Sequence, residues 1–499
     1  MAGAGSAEDL THFFPEIGVS SDFNQEAHHV PKSLSSSRCK PSRRWRTLAV
    51  LGAAVFSAIL GAAPASALSL IRDAETEELL RGYATPIFTA AGLNPKSVNI
   101  YLVNDNQINA FVSGGQNIFF TTELLLEFDT PGEIKGVIAH EVGHIAGGHL
   151  ARTQDAMKGT GALAIASMVL GVGVAALGAP EVGMGMMTGG THVAGRNFLA
   201  YSRSQESSAD QAAATYLDSI GESGEGLLEV MHQFSGQELL SEQRQDPFVR
   251  SHPVSLDRIG ALEARLEKSA FRARKDPPEL IEAHQRMQGK LYGFIKPTSQ
   301  TMRKFPASDT SIKAKIARTV AYYLQGDLDK GLREIDALIA QSPGNPYYHE
   351  LKGQMLFENG RIRESIPPHS KAVELKPDSP ILRVNLAQAM LTSEDPSLLK
   401  PSLQALELSM RQDPEIAIGW HQLAIAYARD GQEGMAALAT AERFFRASGG
   451  DDPRRPSPNR RDALLQATRA VKLLPAGSPA SFRAQDIIDM VKPRELENG

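Results

Sequence analysis

One five-residue pattern in the chain, His140-Glu141-Val142-Gly143-His144, has the side chains and spacing needed to bind a metal ion. On a helix, residues four positions apart share a face and lie roughly 6 Å from each other, so both imidazoles could reach one ion. Zinc (Zn2+), one ion per chain, is expected because it accepts imidazole and carboxylate ligands. Catalytic zinc sites also keep one position open for water. Glu141 would act as general base toward that water and pass the proton to a leaving amine.

Two acidic residues further along the chain could complete this site. The histidine pattern alone is only moderately specific, and a hydrolytic zinc site needs a third protein ligand. Glu206 is predicted to bind the metal. Asp210, four residues later on the same helix face, is predicted to accept a hydrogen bond from the far nitrogen of a ligand histidine. A solvated acidic helix face would be the better interpretation if the two histidines were absent.

Short strands and amphipathic helices are predicted to carry these residues. Apolar residues at three- and four-residue steps predict helices at 68–91, most securely from residue 71, and at 131–149, 198–220 and 256–268. Strands are predicted at 98–103, 108–112 and 117–121. Ser113-Gly114-Gly115-Gln116 supplies the glycines that a tight reversal between the last two strands needs. The catalytic part is therefore expected to be mostly helical, with a small sheet.

The first 67 residues read as an export segment. A basic run at 35–46 precedes an uncharged stretch at 47–63 and then Ala65-Ser66-Ala67, which predicts a signal peptide cleaved after Ala67. An uncut membrane anchor is the alternative, and the polar residues 1–34 suggest that translation starts downstream of Met1. The only cysteine, Cys39, lies in this segment. The exported chain would have no thiol, which excludes cysteine catalysis and is compatible with the periplasm.

The length and charge of the chain limit its domain count and its classes of partner. The chain has 499 residues, too many for one hydrophobic core, so at least two domains are expected. Its net charge of -5 is not gathered into a block, so no nucleic-acid partner is predicted. Gly159–Pro180 contains no charged residue. This tract is interpreted as a lid or a membrane-surface loop over the site, with a transmembrane helix or a buried hairpin as alternatives.

The C-terminal part of the chain repeats itself. Gly326 and Gly360 are 34 residues apart, which is the period of tetratricopeptide repeats. The period slips by three near Glu394-Asp395-Pro396, where an inter-helix insertion is expected. The best-matching unit runs from Trp420 to Gly431. At least four helix pairs are predicted between residues 311 and 490, with a concave surface for extended partners.

These motifs together resemble a known peptidase family. The His140–His144 pattern, Glu206-Ser-Ser-Ala209-Asp210 and the segment from Ser251-His252-Pro253 to Arg258-Ile259 are similar to the family that includes the CAAX prenyl protease. The export signal and the repeats resemble its periplasmic BepA-like branch. The resemblance implies a zincin-like α+β peptidase domain of the gluzincin type and a role in quality control of outer-membrane proteins.

The resemblance also suggests roles for further residues. It places His252 near the metal, where it could stabilise the oxyanion or fill the open coordination position and keep the enzyme latent. Ordering a turn before a helix is the alternative role for His252. Arg258 would pair with a nearby acid. His149, nine residues after His140, is at the wrong angle for the same metal and is interpreted as structural.

Two strands are expected to form the edge of the active site, where an extended substrate could add as a further strand. The residues assigned to this edge are Asn109, Phe111, Asn117 and Ile118. The predicted domains are an extension with signal peptide (1–67), a metallopeptidase domain (68–270), a linker (271–310) and a repeat array (311–490).

The predicted function is a zinc endopeptidase acting on unfolded or stalled outer-membrane proteins, with the repeats recruiting substrate or the assembly machinery. One alternative is a periplasmic chaperone or adaptor with a latent zinc site. A membrane-integral protease that uses Gly159–Pro180 as a span is the other.

Overall fold

The computed structural model describes residues 69–149, 152, 203–237, 240, 244–448 and 457–492. The predicted export segment, Cys39 and the tract Gly159–Pro180 lie outside the described residues. Among the helices that are described, none has both the length and the apolar composition needed to cross a bilayer.

A four-stranded sheet stands beside the predicted metal-binding helix. Its strands are β1 (Leu70–Ile71), β2 (Asn99–Val103), β3 (Ala110–Ser113) and β4 (Asn117–Thr121), in the order β1-β2-β4-β3. β2 and β4 are parallel, whereas the other two pairs are antiparallel. The β3–β4 hairpin turns at Gly114 and Gly115, whose φ angles of 58° and 96° favour glycine.

Among the residues that the structure describes, β3 pairs on one side only, so the free edge of the sheet next to the site belongs to β3. β4 hydrogen-bonds to β2 on one side and to β3 on the other. Asn117 and Ile118 therefore lie on an interior strand, contrary to the prediction that β4 contributes to the edge. A strand paired on both sides has no backbone groups left for a substrate. Spacing in the sequence identified both strands, but their order in the sheet depends on tertiary contacts.

The helices of the peptidase part pack around one apolar core. They are α1 (Ala74–Ala90), α2 (Thr122–Glu127), α3 (Pro131–Ala146), α4 (helical residues 203–219), α5 (Glu225–Gln233), α6 (Pro247–Ser251) and α7 (Leu256–Leu266). A capping box between Thr130 and Glu133 fixes the start of α3. Ile134, Val137 and Ile138 of α3 are fully buried, so this helix runs through the core and not over the surface.

The segment predicted to be a linker is a packed helical bridge. It contains α8 (Pro278–Ile295) and α9 (Thr298–Lys304). Met287 and Leu291 of α8 belong to the core of the peptidase part, whereas Phe294 packs with the first repeat helices. The charges and prolines in this segment predicted a connection between domains; in the structure its helix α8 packs against both the peptidase part and the repeats.

The C-terminal part is an all-helical array, as predicted. Its helices are α10 (Ile312–Leu324), α11 (Leu328–Gln341), α12 (Pro346–Glu358), α13 (Ile362–Leu375), α14 (Pro380–Thr392), α15 (Leu399–Gln412), α16 (Ala417–Arg429), α17 (Glu433–Ala447), α18 (Pro458–Leu473) and α19 (Pro479–Val491). Gly326, Gly360 and Gly431 turn the α10–α11, α12–α13 and α16–α17 hairpins, with φ between 75° and 83°. The slip in period coincides with a short 3-10 helix, Pro396–Leu398. This arrangement is consistent with a repeat array.

Candidate active site

Two helices in close contact bring the predicted ligands together. α3 carries His140, Glu141 and His144, and α4 carries Glu206. The helices approach at Gly143, where an added Cβ would lie 2.9 Å from the carbonyl oxygen of Ala209 and 3.0 Å from its Cα. Only glycine allows this approach without a shift of backbone. The glycine inside the metal-binding pattern therefore has a packing reason.

Four side chains place their donor atoms in one cluster. His140 Nε2 lies 3.1 Å from His144 Nε2 and 3.3 Å from Glu206 Oε2. His144 Nε2 lies 3.3 Å from Glu206 Oε1. His252 Nδ1 is the fourth donor, 3.2 Å from both His140 Nε2 and Glu206 Oε2. All four donor atoms lie within 4.8 Å of one another.

These spacings fit a tetrahedral zinc ion. With metal–ligand bonds of about 2.0–2.1 Å, the ligand atoms of a tetrahedral site are roughly 3.3 Å apart. The charges of the neighbouring acids fit as well. The carboxyl groups of Glu141, Glu206 and Asp210 are buried, and Arg258 is the guanidinium that pairs with two of them. When all three carboxylates are ionised and the histidines are neutral, a divalent cation balances the remaining charge.

His140 and the acids that contact it shift one another's pKa values. Burial alone would lower the pKa of His140, but hydrogen bonds to Asp210 and Glu206 raise it to about 10. Burial would raise the pKa of Glu206, yet the neighbouring His252 and His140 hold it well below its usual range. His144 has its pKa lowered to about 2, by burial first and then by the charge of His140. The cluster thus favours an ionised carboxylate beside the imidazoles.

A salt bridge from α7 holds the acids of α4 in place. Asp210 Oδ1 lies 2.9 Å from His140 Nδ1, the ring nitrogen that faces away from the donor cluster. Arg258 donates two hydrogen bonds to Asp210, of 2.7 and 2.8 Å, and its Nη1 lies 3.2 Å from Glu206 Oε2. Asp210, the acid predicted to orient a ligand histidine, therefore lies at ion-pair distance from His140, and its orienting role remains a prediction. Arg258 contacts both acids, not one.

Glu141 and His252 face each other across the cluster. Glu141 Oε1 lies 3.3 Å from His252 Nε2, and among the described residues this buried oxygen makes no hydrogen bond. Burial raises the pKa of Glu141, opposed by His252 and His140. His252 Nε2 also lies 3.3 Å from the carbonyl oxygen of Ala110 on β3. His252 therefore connects the donor cluster with the free edge of the sheet.

The remaining predicted residues lie around this edge. Asn109 accepts a hydrogen bond from Ser251 Oγ at 3.2 Å, just before β3 begins. Phe111 stacks on Phe119 with ring centroids 5.0 Å apart, so its side chain is on the sheet face opposite the buried Ala110. Asn109 and Phe111 remain predictions as substrate-binding residues.

A second contact to the metal-binding pattern was missed by sequence reasoning. His149 is buried, and its Nδ1 lies 2.9 Å from Nδ1 of His144. The ring is close to the cluster although it contributes no donor atom. Gly147 and Gly148 at the end of α3 were the available signal, because paired glycines after a helix often reverse the chain.

Comparison with known proteins agrees with this geometry. The sequence profile described as Peptidase family M48 matches residues 71–266. The Beta-barrel assembly-enhancing protease of Yersinia pestis is 24% identical over 374 residues, which cover 73% of this chain and 76% of that protein. Its Escherichia coli K12 counterpart is 22% identical over 385 residues, covering 75% and 76%. Metalloprotease LoiP of Escherichia coli K12 is 27% identical over 192 residues, covering 38% and 71%.

Together, the matched profile and the His-His-Glu cluster confirm the predicted family resemblance. The profile spans the sheet, both ligand helices and α7, so it covers every residue of the donor cluster. Residues 71–266 match the peptidase family M48 profile, and this part of the chain is a metalloprotease domain of that type.

Proposed function

We propose that the chain is a zinc-dependent endopeptidase that hydrolyses peptide bonds of unfolded or misassembled envelope proteins. The observation that carries the proposal is the buried cluster of His140, His144, Glu206 and His252, with the free carboxylate oxygen of Glu141 beside it. A purely structural zinc site has no use for a buried acid beside the donor cluster that does not itself bind the metal.

His140, His144 and Glu206 would hold the zinc ion. Zinc bound there would act as a Lewis acid toward the peptide carbonyl and would lower the pKa of water. Glu141 takes the proton of the attacking water and delivers it to the leaving amine, which requires a carboxyl group shielded from bulk solvent. Asp210 keeps the Nε2 lone pair of His140 directed at the cluster by accepting its Nδ1 proton.

His252 is proposed to keep the resting site latent. Its Nδ1 lies where a water or a substrate oxygen would complete the donor set, and its Nε2 contacts the Ala110 carbonyl. A substrate strand that adds to β3 needs the same edge. Substrate addition and release of His252 would therefore be coupled, so the enzyme cleaves only chains that can adopt an extended form.

The proposed substrates and location follow from the relatives and the export segment. The relatives from Yersinia pestis and Escherichia coli are named for enhancing β-barrel assembly. We infer a periplasmic enzyme, exported by a cleaved signal, whose repeat array recruits stalled outer-membrane proteins or their assembly machinery. Membrane-surface contact through Gly159–Pro180 remains part of this proposal.

A periplasmic chaperone or adaptor with a latent zinc site is the second candidate. The position of His252 inside the donor cluster favours it, because four protein donors leave no position for substrate.

An assay of casein cleavage separates the two candidates. It compares the wild type with Glu141→Gln and His252→Ala, and the zinc content of each protein is measured. The endopeptidase proposal expects Glu141→Gln to lose at least about 100-fold in activity with zinc retained. It also expects His252→Ala to cleave faster than the wild type. If zinc is bound and neither the wild type nor His252→Ala cleaves any unfolded substrate, the adaptor function is supported instead.

A further inference from the structure

We propose that His149 is a positioning residue that orients the ligand His144, in addition to the structural role its spacing suggested. The proposal concerns the metal site described above and rests on it. Three independent observations support it: the contact between the two rings, the space that Gly147 leaves, and the chain reversal at Gly148.

The contact between the rings sets the tautomer of His144. His144 Nε2 belongs to the donor cluster and must offer a lone pair there, so its Nδ1 must carry the proton. That proton needs an acceptor, and Nδ1 of His149 lies 2.9 Å away. His149 would accept through Nδ1 and keep its own proton on Nε2. The rings meet nearly at right angles, at 80° with centroids 4.9 Å apart, so one ring edge points toward the other.

The two ligand histidines are therefore oriented by different groups. His140 uses the carboxylate of Asp210, which is on α4. His144 uses an imidazole from its own segment of the chain, five residues further on. Such outer partners are usually carboxylates, backbone carbonyls or water. A neutral imidazole fits here because the site already holds the carboxylates of Glu141, Glu206 and Asp210.

The backbone around His149 is arranged for this contact. Gly147 ends α3, and Gly148 has a φ of 63°, which turns the chain back over the last turn of the helix. A Cβ on Gly147 would lie 2.4 Å from Nε2 and 2.8 Å from Cδ2 of His149. The side-chain amide of Gln205 donates to the carbonyl oxygen of His149 at 3.3 Å, which ties this turn to the helix of Glu206. His149 as a residue is 4% exposed, so bulk water has little access to take the place of its side chain.

The test is the zinc affinity of the full chain, measured by competition with a chelating fluorophore. His149→Phe keeps the ring and removes the acceptor, and it should bind zinc about 10–100-fold more weakly. His149→Gln retains an acceptor oxygen and should stay nearer to the wild type than His149→Phe. Gly147→Ala leaves His149 in place but displaces its ring, and it should also weaken zinc binding.

The controls are His232→Gln, which removes an exposed histidine, and Gly82→Ala, whose added Cβ meets nothing within 4 Å. Both should bind zinc as the wild type does. Unchanged thermal unfolding of the metal-free variants shows that a weaker affinity comes from the site and not from the fold.

Wild-type affinity in His149→Phe would overturn the inference and leave the zinc site intact. Equal losses in His149→Phe and His149→Gln would also overturn it, because the loss would then reflect ring packing and not an acceptor. A wild-type chain that binds no zinc would overturn both this inference and the proposed function.

Discussion

At the scale of single residues, groups outside the donor cluster contact the predicted ligands. Arg258 pairs with Asp210 and Glu206, and Asp210 lies against His140. Burial would raise the pKa of Asp210, but hydrogen bonds from His140 and Arg258 lower it. We expect this chain of contacts, which runs from α7 through α4 to α3, to hold the predicted ligands in place.

Asp210→Asn tests this chain of contacts. The asparagine amide is neutral and has one acceptor oxygen instead of two, so it binds His140 and Arg258 more weakly. The tautomer of His140 is then held less firmly. Zinc affinity and casein cleavage should fall about 10–100-fold while the fold is retained. The exposed Asp257, next to Arg258 in sequence, offers a control: Asp257→Asn should leave both quantities unchanged. Zinc affinity in Asp210→Asn equal to that of the wild type would contradict the assignment.

At the scale of elements, the distance between α3 and α4 decides whether Glu206 reaches the histidines. Gly143 sets this distance, because its hydrogen faces the backbone of Ala209. Elsewhere on α3, Gly136 faces the backbone of Leu227 on α5, where an added Cβ would lie 2.6 Å from the amide nitrogen. Small residues thus let two helices approach α3 closely at separate points.

Gly143→Ala should therefore damage the site without changing any ligand. The new methyl group forces α4 away, which costs about 1–3 kcal/mol of stability and moves Glu206 from the cluster. We expect a lower thermal midpoint and zinc affinity reduced about tenfold or more. Gly82→Ala on α1 is the matched control, since its methyl group has open space. If Gly143→Ala binds zinc normally, helix spacing is not what positions Glu206.

In the repeat array, His369 makes the packing of α13 on α12 sensitive to acid. Its ring lies against Gly353, its Nδ1 has no hydrogen-bond partner among the described residues, and burial lowers its pKa to about 4. An unfolded histidine titrates near 6.5. Below pH 6.5 His369 binds a proton in the unfolded chain but stays neutral in the native state. The free energy of unfolding therefore falls as the pH drops from 6.5 toward 4.

His369→Phe should reduce this acid sensitivity. Between pH 7 and pH 5 the wild type should lose about 2 kcal/mol through His369, and the phenylalanine variant should lose correspondingly less. Thermal midpoints of both proteins at the two pH values measure the difference. The effect of acid on the metal site is the same in both proteins, so it cancels when their pH dependences are compared. Equal pH dependence in the two proteins would show that His369 is protonated without cost in the native array.

At the scale of the whole molecule, buried ion pairs join the peptidase part to the repeats. Lys290 of α8 lies 2.5 Å from Asp73, the N-cap of α1, and 3.1 Å from Glu350 of α12. All three side chains are at most 7% exposed. Arg72 and Asp413 form a further pair at 2.5 Å across the same junction. The repeats are thus attached to the first residues of the peptidase domain as well as through α8.

Lys290→Met should loosen this junction. It leaves the carboxylates of Asp73 and Glu350 buried without their shared cation, which costs about 3–5 kcal/mol. We expect a lower thermal midpoint and faster limited proteolysis between the two parts. Lys352→Met, which breaks a more exposed pair with Asp336, should change stability by about 1 kcal/mol or less. Equal effects of the two substitutions would mean that the buried network does not hold the parts together.

The sequence by itself was sufficient for features that depend on local spacing. Helical periodicity places His140 and His144 on one face, and the same rule puts Glu206 and Asp210 together on the next helix. Local spacing also predicted β2, β3, β4 and the 34-residue period, whereas β1 (Leu70–Ile71) lies in a segment predicted to be helical. The family resemblance followed from these motifs, and the matched profile confirms it.

The tertiary structure decided everything that depends on which elements meet. It made β3 and not β4 the free edge, because strand order follows from packing and not from chain order. It also determined that the charged, proline-containing segment after residue 270 includes the packed helix α8. This helix is buried because it contacts both the peptidase core and the first repeat helices. It placed the Nδ1 atom of His252, a residue that the family resemblance already put near the metal, within the donor cluster, and it folded His149 back onto His144. These contacts join residues through turns and helix approaches, whose geometry no short sequence pattern encodes.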